Sequence, residues 1–154
     1  MRSIWSEGLT HLRERLYSLR YYRTGRVAIA CCITCGVKYL GRRGVVLPHP
    51  VGIVIGRQVE IGHGCRIYQN VTIGAKSDAE ATQGIYPRIG NNVIIYAGAV
   101  LIGGLRVGDN AVVGAGAIVT HNVPAGVIVA GNPARIISKG SGDLQTQISK
   151  SAYS

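Results

Sequence analysis

The feature that most constrains the fold is a six-residue period in the middle of the chain. From Ile55 the units are IGRQVE, IGHGCR, IYQNVT and IGAKSD, and from Ile89 they are IGNNVI, IYAGAV, LIGGLR, VGDNAV, VGAGAI and VTHNVP. The first position is Ile, Leu or Val in every unit, the second is often Gly, and the fifth is usually a small apolar residue. Because an α-helix repeats every 3.6 residues, this period predicts a short strand followed by a tight turn.

Three such units make one triangular coil, and successive coils stack at the strand spacing of about 4.8 Å. The chain is therefore predicted to be an all-β solenoid with an aliphatic interior. Its 154 residues are 47% apolar, include 22 Gly and lack Phe, which is typical of a β-branched core with many turns. We expect Gly90–Asn92 and Gly108–Asn110 to occupy corners.

The period breaks once, between Ile73 and Ile89, because these two residues are not separated by a multiple of six. Residues from about 75 to 88 are therefore predicted to leave the wall as a protruding loop. A long excursion from a regular solenoid is more often functional than accidental.

The flanking segments complete the predicted organisation. Residues 1–36 read as a short N-terminal helical segment, 37–137 as the β-helix domain and 138–154 as a flexible tail rich in Ser and Gln. Leu residues at 9, 12, 16 and 19 have helical spacing, which is typical of packing onto the protein or a partner subunit.

Positive charge is concentrated near the N-terminus, since residues 1–43 contain nine Lys or Arg and two acids, within a net charge of +10. This pattern fits a solvated helix, peripheral contact with an anionic membrane, or a phosphate-bearing ligand. The apolar run VAIACCITCGV is too short to cross a bilayer. We expect a cytoplasmic protein without nucleic acid among its partners.

Four cysteines, at positions 31, 32, 35 and 65, are expected to be buried free thiols. One C-x-x-C without a second pair is a weak zinc signal, so no metal is expected. Cys65 falls in the inward fifth position of a repeat, which is a poor place for a nucleophile.

The stretch LPHPVGIVIG, followed by QNVTIGA, IYPRIG, YAGAVLIGG, VGAGAIV and VAGNPARII, resembles the serine acetyltransferase-like branch of the hexapeptide acyltransferases over about residues 37–137. The resemblance implies a left-handed parallel β-helix, usually a homotrimer, with active sites between neighbouring subunits near the loop. It also implies transfer of an acetyl group from acetyl-CoA to a hydroxyl group.

Under this resemblance, His49 matches the catalytic histidine. A neutral imidazole can take the proton of the acceptor hydroxyl as its oxygen attacks the thioester, and two flanking prolines hold the chain in place. The alternative is a structural histidine at the end of the solenoid. If His49 is the base, transfer is expected to be direct, without an acyl-enzyme.

The resemblance also suggests residues for acetyl-CoA. Gly74 and Ala75 match the pair that admits the pantetheine arm, and Ala97 and Ala115 match small residues whose backbone groups bind its amides. Arg135 and Lys139 are candidate partners for the CoA phosphates, with Lys76 and Arg88 weaker candidates. The alternatives are ordinary corner residues and ordinary surface charge.

Three departures distinguish the chain from serine acetyltransferases. Pro48 stands where they have Asp before the catalytic histidine, and Ile85 and Tyr86 stand where they have Arg-His. The expected acid about fifteen residues before His49 is absent, because Ile33 or Thr34 occupies that place. A carboxylate acceptor needs a cation, which Ile85 cannot supply.

These departures favour colanic acid or capsule-type O-acetyltransferases, which modify sugars in polysaccharide biosynthesis. The predicted acceptor-binding residues are Tyr68, Asn70 and Tyr86, with Tyr96 equally able to be a packing residue. Serine O-acetylation for cysteine biosynthesis is the alternative.

The group that orients His49 stays open among a backbone carbonyl and the acids Asp78, Glu80 and Glu60, with the acids reaching it from a neighbouring subunit. Two other classes are weighed. A metal-dependent protein of the gamma carbonic anhydrase type would need His49, His63 and His121 to converge, and their spacing does not match that family. A β-helix could also serve as a non-catalytic scaffold.

Overall fold

The computed structural model describes residues 31–139. The predicted helices of residues 1–26, the leucine stripe and the tail from residue 140 onward lie outside the described residues.

The described chain forms three β-sheets that wrap around one interior. Sheet A has the strand order β1-β2-β5-β8-β11, sheet B the order β13-β12-β10-β7-β4 and sheet C the order β3-β6-β9. In sheet A the strands are β1 Cys32–Ile33, β2 Val54–Ile55, β5 Thr72–Gly74, β8 Val100–Ile102 and β11 Ile118–Val119. In sheet B they are β4 Arg66–Ile67, β7 Ile94–Ile95, β10 Val112–Val113, β12 Val127–Ala130 and β13 Arg135–Lys139. In sheet C they are β3 Glu60–Ile61, β6 Arg88–Ile89 and β9 Arg106–Val107.

The chain visits the sheets in the order A, C, B and then A again, so each coil has three corners, named here A–C, C–B and B–A. Strands of one sheet are parallel, apart from β13, which runs antiparallel to β12. Val54 pairs with Thr72, eighteen residues further on, which is three six-residue units. This is the parallel solenoid predicted from the period.

Aliphatic side chains fill the interior as the repeat predicts. The first position of each unit is buried, at Ile55, Ile61, Ile67, Ile73, Ile89, Ile95, Leu101, Val107, Val113 and Val119. The fifth positions are also buried, except in the unit that opens the loop, at Val59, Cys65, Val71, Val93, Ala99, Leu105, Ala111, Ala117 and Val123. Each buried Ile or Leu contributes about 1.5–3 kcal/mol, so stacking of equivalent positions dominates stability.

At the C–B corner, the second position of the repeat is glycine because a larger residue would collide with the next coil. A Cβ on Gly62 would lie 2.5 Å from the carbonyl carbon of Gly90 and 2.7 Å from the Asn91 nitrogen. The next coil therefore leaves no room for a side chain. Asn92 and Asn110 close the same corner with φ of 53° and 59°, as the Gly-Asn and Asp-Asn turns predict.

The protruding loop leaves sheet A after β5 and returns at β6. Thr72 pairs with Val100, twenty-eight residues further on, so the loop adds ten residues to the eighteen of a regular coil. It contains a short helix, α2 Asp78–Thr82, which the sequence reading did not predict. Ser77 caps α2, since its hydroxyl accepts a hydrogen bond from the Glu80 backbone N–H at 3.3 Å.

Both ends of the described solenoid differ from the predicted boundaries. β1 lies inside the segment predicted to be helical, and it extends sheet A by pairing with β2. Its two residues, Cys32 and Ile33, suit an edge strand because Ile is β-branched. The helix α1 Val37–Arg42 follows it, and β13 continues to Lys139, past the predicted end at 137. The two helices in this part of the chain have six and five residues, and neither is long enough to cross a membrane.

Replacing Gly62 with Ala is expected to lower the free energy of unfolding by about 1–3 kcal/mol, because the added methyl collides with the backbone of the next coil. Gly74→Ala is the matched control, since a Cβ there meets nothing within 4 Å, and its effect should stay within about 0.5 kcal/mol. Urea unfolding at one protein concentration measures both. Equal stabilities of the two variants would contradict the steric explanation.

Candidate active site

His49 lies at the B–A corner, at the end of the solenoid that the chain enters first. Val46 bridges to Arg66 in sheet B, and β2 of sheet A begins at Val54, so residues 47–53 turn this corner. The imidazole is exposed, whereas Pro50 beside it is buried. The His49 carbonyl accepts a hydrogen bond from the Val51 backbone N–H at 2.8 Å, so the turn holds the backbone beneath the ring.

Two tyrosines follow His49 down the same corner, one on each of the next two coils. The centroid of the Tyr68 ring lies 6.5 Å from that of His49, with the planes inclined by 47°. Tyr96 stacks on Tyr68 with centroids 5.1 Å apart and planes 19° apart. Burial, with a smaller effect of Tyr68, raises the pKa of Tyr96, so its hydroxyl stays protonated at neutral pH. The structure thus brings together the predicted residues His49, Tyr68 and Tyr96.

Asn70 has a structural reason to be at this corner. Its φ is 57°, a conformation that favours Asn or Gly, and its side-chain oxygen occupies the space next to Gly52. Its neighbour Gln69, which sequence reasoning missed, has a buried side-chain oxygen with no hydrogen-bond partner among the described residues. A buried acceptor without a donor is costly, so Gln69 is a polar group at this corner that the chain itself leaves unsatisfied.

The predicted CoA residues are divided between the two edges of sheet A. Gly74 and Ala75 lie at the A–C edge, where the loop begins, and Ala97 and Ala115 lie at the B–A corner with His49. A Cβ on Gly74 would meet nothing within 4 Å, so its backbone is open to a ligand. The Ala97 carbonyl already accepts from the Gly116 N–H at 2.9 Å. Ala115 is exposed on the next coil.

Among the candidate phosphate partners, Arg135 is exposed, and its guanidinium donates to the carbonyl of the preceding Ala134 at 2.9 Å. Lys139 ends β13, and its side chain lies outside what the structure describes. Lys76 is exposed at the start of the loop. Arg88 projects from sheet C and lies 3.6 Å from Glu60, away from the His49 corner.

Ile85 and Tyr86 pack the returning end of the loop onto the wall. A Cβ on Gly104 would lie 2.7 Å from the Ile85 side chain, and a Cβ on Gly56 would lie 2.6 Å from the Tyr86 ring. Each side chain therefore fills the space that a glycine leaves. Tyr86 consequently lies at the A–C corner and apart from His49, Tyr68 and Asn70, with which it was predicted to bind the acceptor.

Two of the acids considered for orienting His49 have other partners within the chain. Glu60 faces Arg88, and the Glu80 carboxylate accepts from the Lys76 backbone N–H at 2.9 Å. Asp78 is exposed in α2. Within residues 31–139, no hydrogen bond or ion pair joins any of the three to the imidazole of the same chain.

The three histidines considered for a metal lie at three different corners. His49 is at B–A, His63 follows β3 at C–B, and His121 follows β11 at A–C, where its ring nitrogen lies 2.9 Å from the Thr120 hydroxyl oxygen. Among residues 31–139 no group of three His, Cys, Asp or Glu could hold a metal ion.

Cys65 is fully buried, and its thiol donates to the Gly90 carbonyl at 3.1 Å. Burial raises its pKa to about 11. Cys35 is similar, since burial raises its pKa to about 11 as well. Cys32, in contrast, is exposed on the edge strand β1.

Comparison with known proteins agrees with the repeat. Residues 86–121 match the family model described as bacterial transferase hexapeptide (six repeats). This part of the chain carries the repeat of the hexapeptide transferases.

The relatives are named serine acetyltransferases. The probable serine acetyltransferase 5 of Oryza sativa subsp. japonica is 43% identical over 103 residues, which are 67% of this chain and 30% of that protein. The serine acetyltransferase of Staphylococcus epidermidis is 31% identical over 146 residues, covering 90% of this chain and 65% of that protein. The chain thus spans between about a third and two thirds of the length of these relatives.

A solved structure of soybean serine acetyltransferase complexed with serine is similar in fold. It has 36% identity and a TM-score of 0.58, over 61% of this chain and 38% of that one. The hexapeptide match and this structural likeness imply that the coil is left-handed, as the resemblance in the sequence suggested.

The pKa of Cys65 predicts its reactivity. At pH 8 only about one thiol in a thousand is ionised at a pKa near 11, so Cys65 is expected to react with a disulfide reagent only after unfolding. Exposed Cys32 should react in the native protein. Cys32→Ser should remove a fast phase of labelling, whereas Cys65→Ser should leave that phase unchanged. Native labelling of Cys65 as fast as that of Cys32 would refute the assignment.

Proposed function

We propose that this protein is an O-acetyltransferase that moves an acetyl group from acetyl-CoA to a hydroxyl group, with His49 as the general base and serine as the acceptor that its relatives favour. The observation that carries the proposal is the exposed imidazole of His49, held between Pro48 and Pro50 at the corner that also bears Tyr68 and Ala97. The match to the hexapeptide transferases supports the reaction class.

In the proposed reaction, neutral His49 accepts the proton of the acceptor hydroxyl while the oxygen attacks the thioester carbonyl. The C–O bond forms and the C–S bond breaks. The imidazolium returns the proton to the leaving thiolate, so the enzyme ends unchanged. Direct transfer is favoured because Cys65, which sits inside the coil, is buried and protonated. The turn at Val51 fixes the His49 backbone, which limits the positions the ring can take.

Acetyl-CoA fits the open backbone along sheet A. Gly74 leaves space for the pantetheine arm at one edge, and exposed Ala115 offers backbone groups at the other, while the Ala97 carbonyl is already engaged by the Gly116 N–H. Arg135, exposed just beyond the B–A corner, is the proposed partner of a CoA phosphate, and Lys139 is a second one.

The complete site is proposed to form between copies of the chain, as a homotrimer would allow. From Asn70 to Ala75 the chain crosses sheet A in five extended steps, roughly 15 Å, so the His49 corner and the loop edge of one chain stay apart. The outward face of sheet A is apolar at Val54, Val100 and Ile118, which suits contact with another copy.

A sugar in polysaccharide biosynthesis is the second candidate acceptor. Ile85 and Tyr86 are packing residues and offer no cation to a serine carboxylate at the loop. The stacked pair of Tyr68 and Tyr96 next to His49 presents an aromatic surface suited to a sugar ring. Against this, the relatives are named for serine.

Replacing His49 with Ala is expected to lower kcat about 10²- to 10⁴-fold, which is the usual contribution of a general base. His63→Ala is the matched control, because this exposed histidine lies at another corner and should leave kcat unchanged. Acetyl transfer measured by mass spectrometry, with circular dichroism to verify folding, tests both. A folded His49 variant with normal turnover would exclude the proposed base.

The acceptor is tested by offering serine and a panel of sugars and nucleotide sugars with acetyl-CoA. Acetylserine is the expected product, with a KM for serine that is little changed by Tyr68→Leu. Acetylated sugar, with a KM raised about tenfold by Tyr68→Leu through loss of stacking, would instead select the second candidate. Failure to acetylate any of them would count against both acceptors.

A further inference from the structure

The first coil of the solenoid carries a positive charge that none of the proposed catalytic steps uses. No Asp or Glu stands between Glu14 and Glu60, and this stretch of 45 residues contains eight Lys or Arg. Residues 60–139, in contrast, contain six Lys or Arg and four acids. The end of the solenoid that the chain enters first, named here the entry end, is therefore strongly positive, whereas the coils beyond it are closer to neutral.

Helix α1 places cations at the surface of the entry end. Its inner side is fixed, because Leu40 is fully buried and the Tyr39 hydroxyl accepts a hydrogen bond from the Ile61 backbone N–H at 3.1 Å. Lys38 and Arg42 are exposed and four residues apart, so they lie on the same side of the helix. The buried contacts thus hold these two charges toward the solvent.

A third cation lies directly after α1. The guanidinium carbon of Arg43 is 4.8 Å from the centroid of the Tyr39 ring, so its charge is also held at the surface. Within residues 31–139, no ion pair joins an acid to Lys38, Arg42 or Arg43. Like charges four residues apart oppose helix formation, so the pair on α1 does not serve the stability of the helix. The positive charge is therefore available to an external partner of negative charge.

An exposed valine shares the first coil with these cations. Val51, at the B–A corner, is 61% exposed. A flat surface laid across the entry end can contact this corner and α1 together. A nucleic acid binds mainly through its phosphates and gains little from an exposed valine, whereas the interface of a bilayer accommodates apolar side chains next to cations. The combination favours a membrane with negative headgroups over a nucleic acid.

The sequence that leads into this end has the same character. After Glu14 and before β1 it adds four arginines and no acid, with the arginines at positions 15, 20, 23 and 26. It also contains one Trp and three Tyr, at positions 5, 17, 21 and 22. Basic and aromatic residues together are typical of segments at a membrane–water interface. The positive charge thus continues along the sequence into α1.

We propose that the entry end is a docking surface for a bilayer of anionic phospholipid. Lys38, Arg42 and Arg43 face the negative headgroups, and Val51 contacts the boundary between headgroups and acyl chains. Each cation adds to binding through the surface potential of the membrane, so no pocket for a single lipid is required. This docking does not rest on the proposed acetyl transfer.

Flotation of the full chain with lipid vesicles, without acetyl-CoA, tests this surface. The vesicles are phosphatidylcholine alone, or phosphatidylcholine with roughly one third phosphatidylglycerol. Binding to the anionic vesicles should be at least about tenfold stronger, and it should fall as NaCl is raised because salt screens exposed charges. Equal binding to both kinds of vesicle, or no binding to the anionic vesicles at low salt, would overturn the proposal.

Variants locate the contact on the entry end. Lys38→Gln, Arg42→Gln and Arg43→Gln should each weaken binding to the anionic vesicles about fivefold, which is the effect of removing one cation from such a surface. Arg106→Gln is the matched control, because it removes an exposed arginine on β9, three coils farther along, and should change binding less than about twofold. Thermal unfolding verifies that each variant is folded.

Two further variants separate a charged surface from a phosphate pocket. Arg42→Lys keeps the charge and should bind like the unmodified protein, because a bilayer attracts charge and does not require the two parallel hydrogen bonds of a guanidinium. Val51→Ser should weaken vesicle binding about threefold through loss of the apolar contact. Loss of binding by Arg42→Lys as large as that of Arg42→Gln would indicate a pocket and refute the docking surface.

Three other results would contradict the proposal. Folded Lys38→Gln, Arg42→Gln and Arg43→Gln that bind vesicles normally would place the attraction in residues 1–30. Unchanged binding of Val51→Ser would refute the orientation of the entry end toward the bilayer. Duplex DNA that binds more tightly than the anionic vesicles at the same salt, and loses affinity in the same variants, would identify a nucleic acid as the partner.

Discussion

The stacking of aliphatic side chains from one coil onto the next is the interaction on which the rest of this structure depends. Every strand that faces the interior has only two to four residues, too few to be stable alone. Each is held because its inward Ile, Val or Leu lies directly above the equivalent residue of the next coil. A parallel register of eighteen residues follows from this requirement, and so does the triangular section with its three corners.

This constraint determines where function can be placed. Inward positions are occupied by the core, and at the C–B corner the next coil leaves no room even for a methyl group. Functional side chains can therefore stand only on the outward faces, at open corners, or in an insertion such as the protruding loop, after which the strands resume their register. His49, the tyrosine stack, the loop and the arginines of sheet C occupy such places. The proposed chemistry is therefore placed outside the aliphatic interior of the coil.

Sequence reasoning identified the solenoid because every coil must bury an aliphatic side chain at the same position of the repeat. Ile67 and Ile95, for example, are both fully buried on successive coils. It could not identify the partners of residues that are far apart in the sequence. Helix α2 was signalled by Ser77 and Glu80, the Ser-x-x-Glu pattern of a capped start, but β1 had no comparable signal. Nothing in the repeat distinguishes Gly56 and Gly104 from the other glycines, and only the fold reveals that they receive Tyr86 and Ile85. Motif matching grouped Tyr86 with His49 in a site between neighbouring subunits, and within one chain the two residues lie on opposite edges of sheet A.

Because the B–A and A–C edges of sheet A are far apart in one chain, any chemistry that uses groups from both edges depends on contact between copies of the chain. Sheet A is a wall of paired strands whose inward residues are locked in the core, so it cannot fold to bring His49 toward its own loop. A reaction that needs groups from both edges requires a second copy, placed with its loop against the first copy's B–A corner. The outward apolar residues of sheet A would then be covered by that contact, and the charged face of sheet C would stay open to water. The outward faces of sheets A and C thus differ in chemistry, apolar on one and charged on the other, although their strands share one backbone geometry.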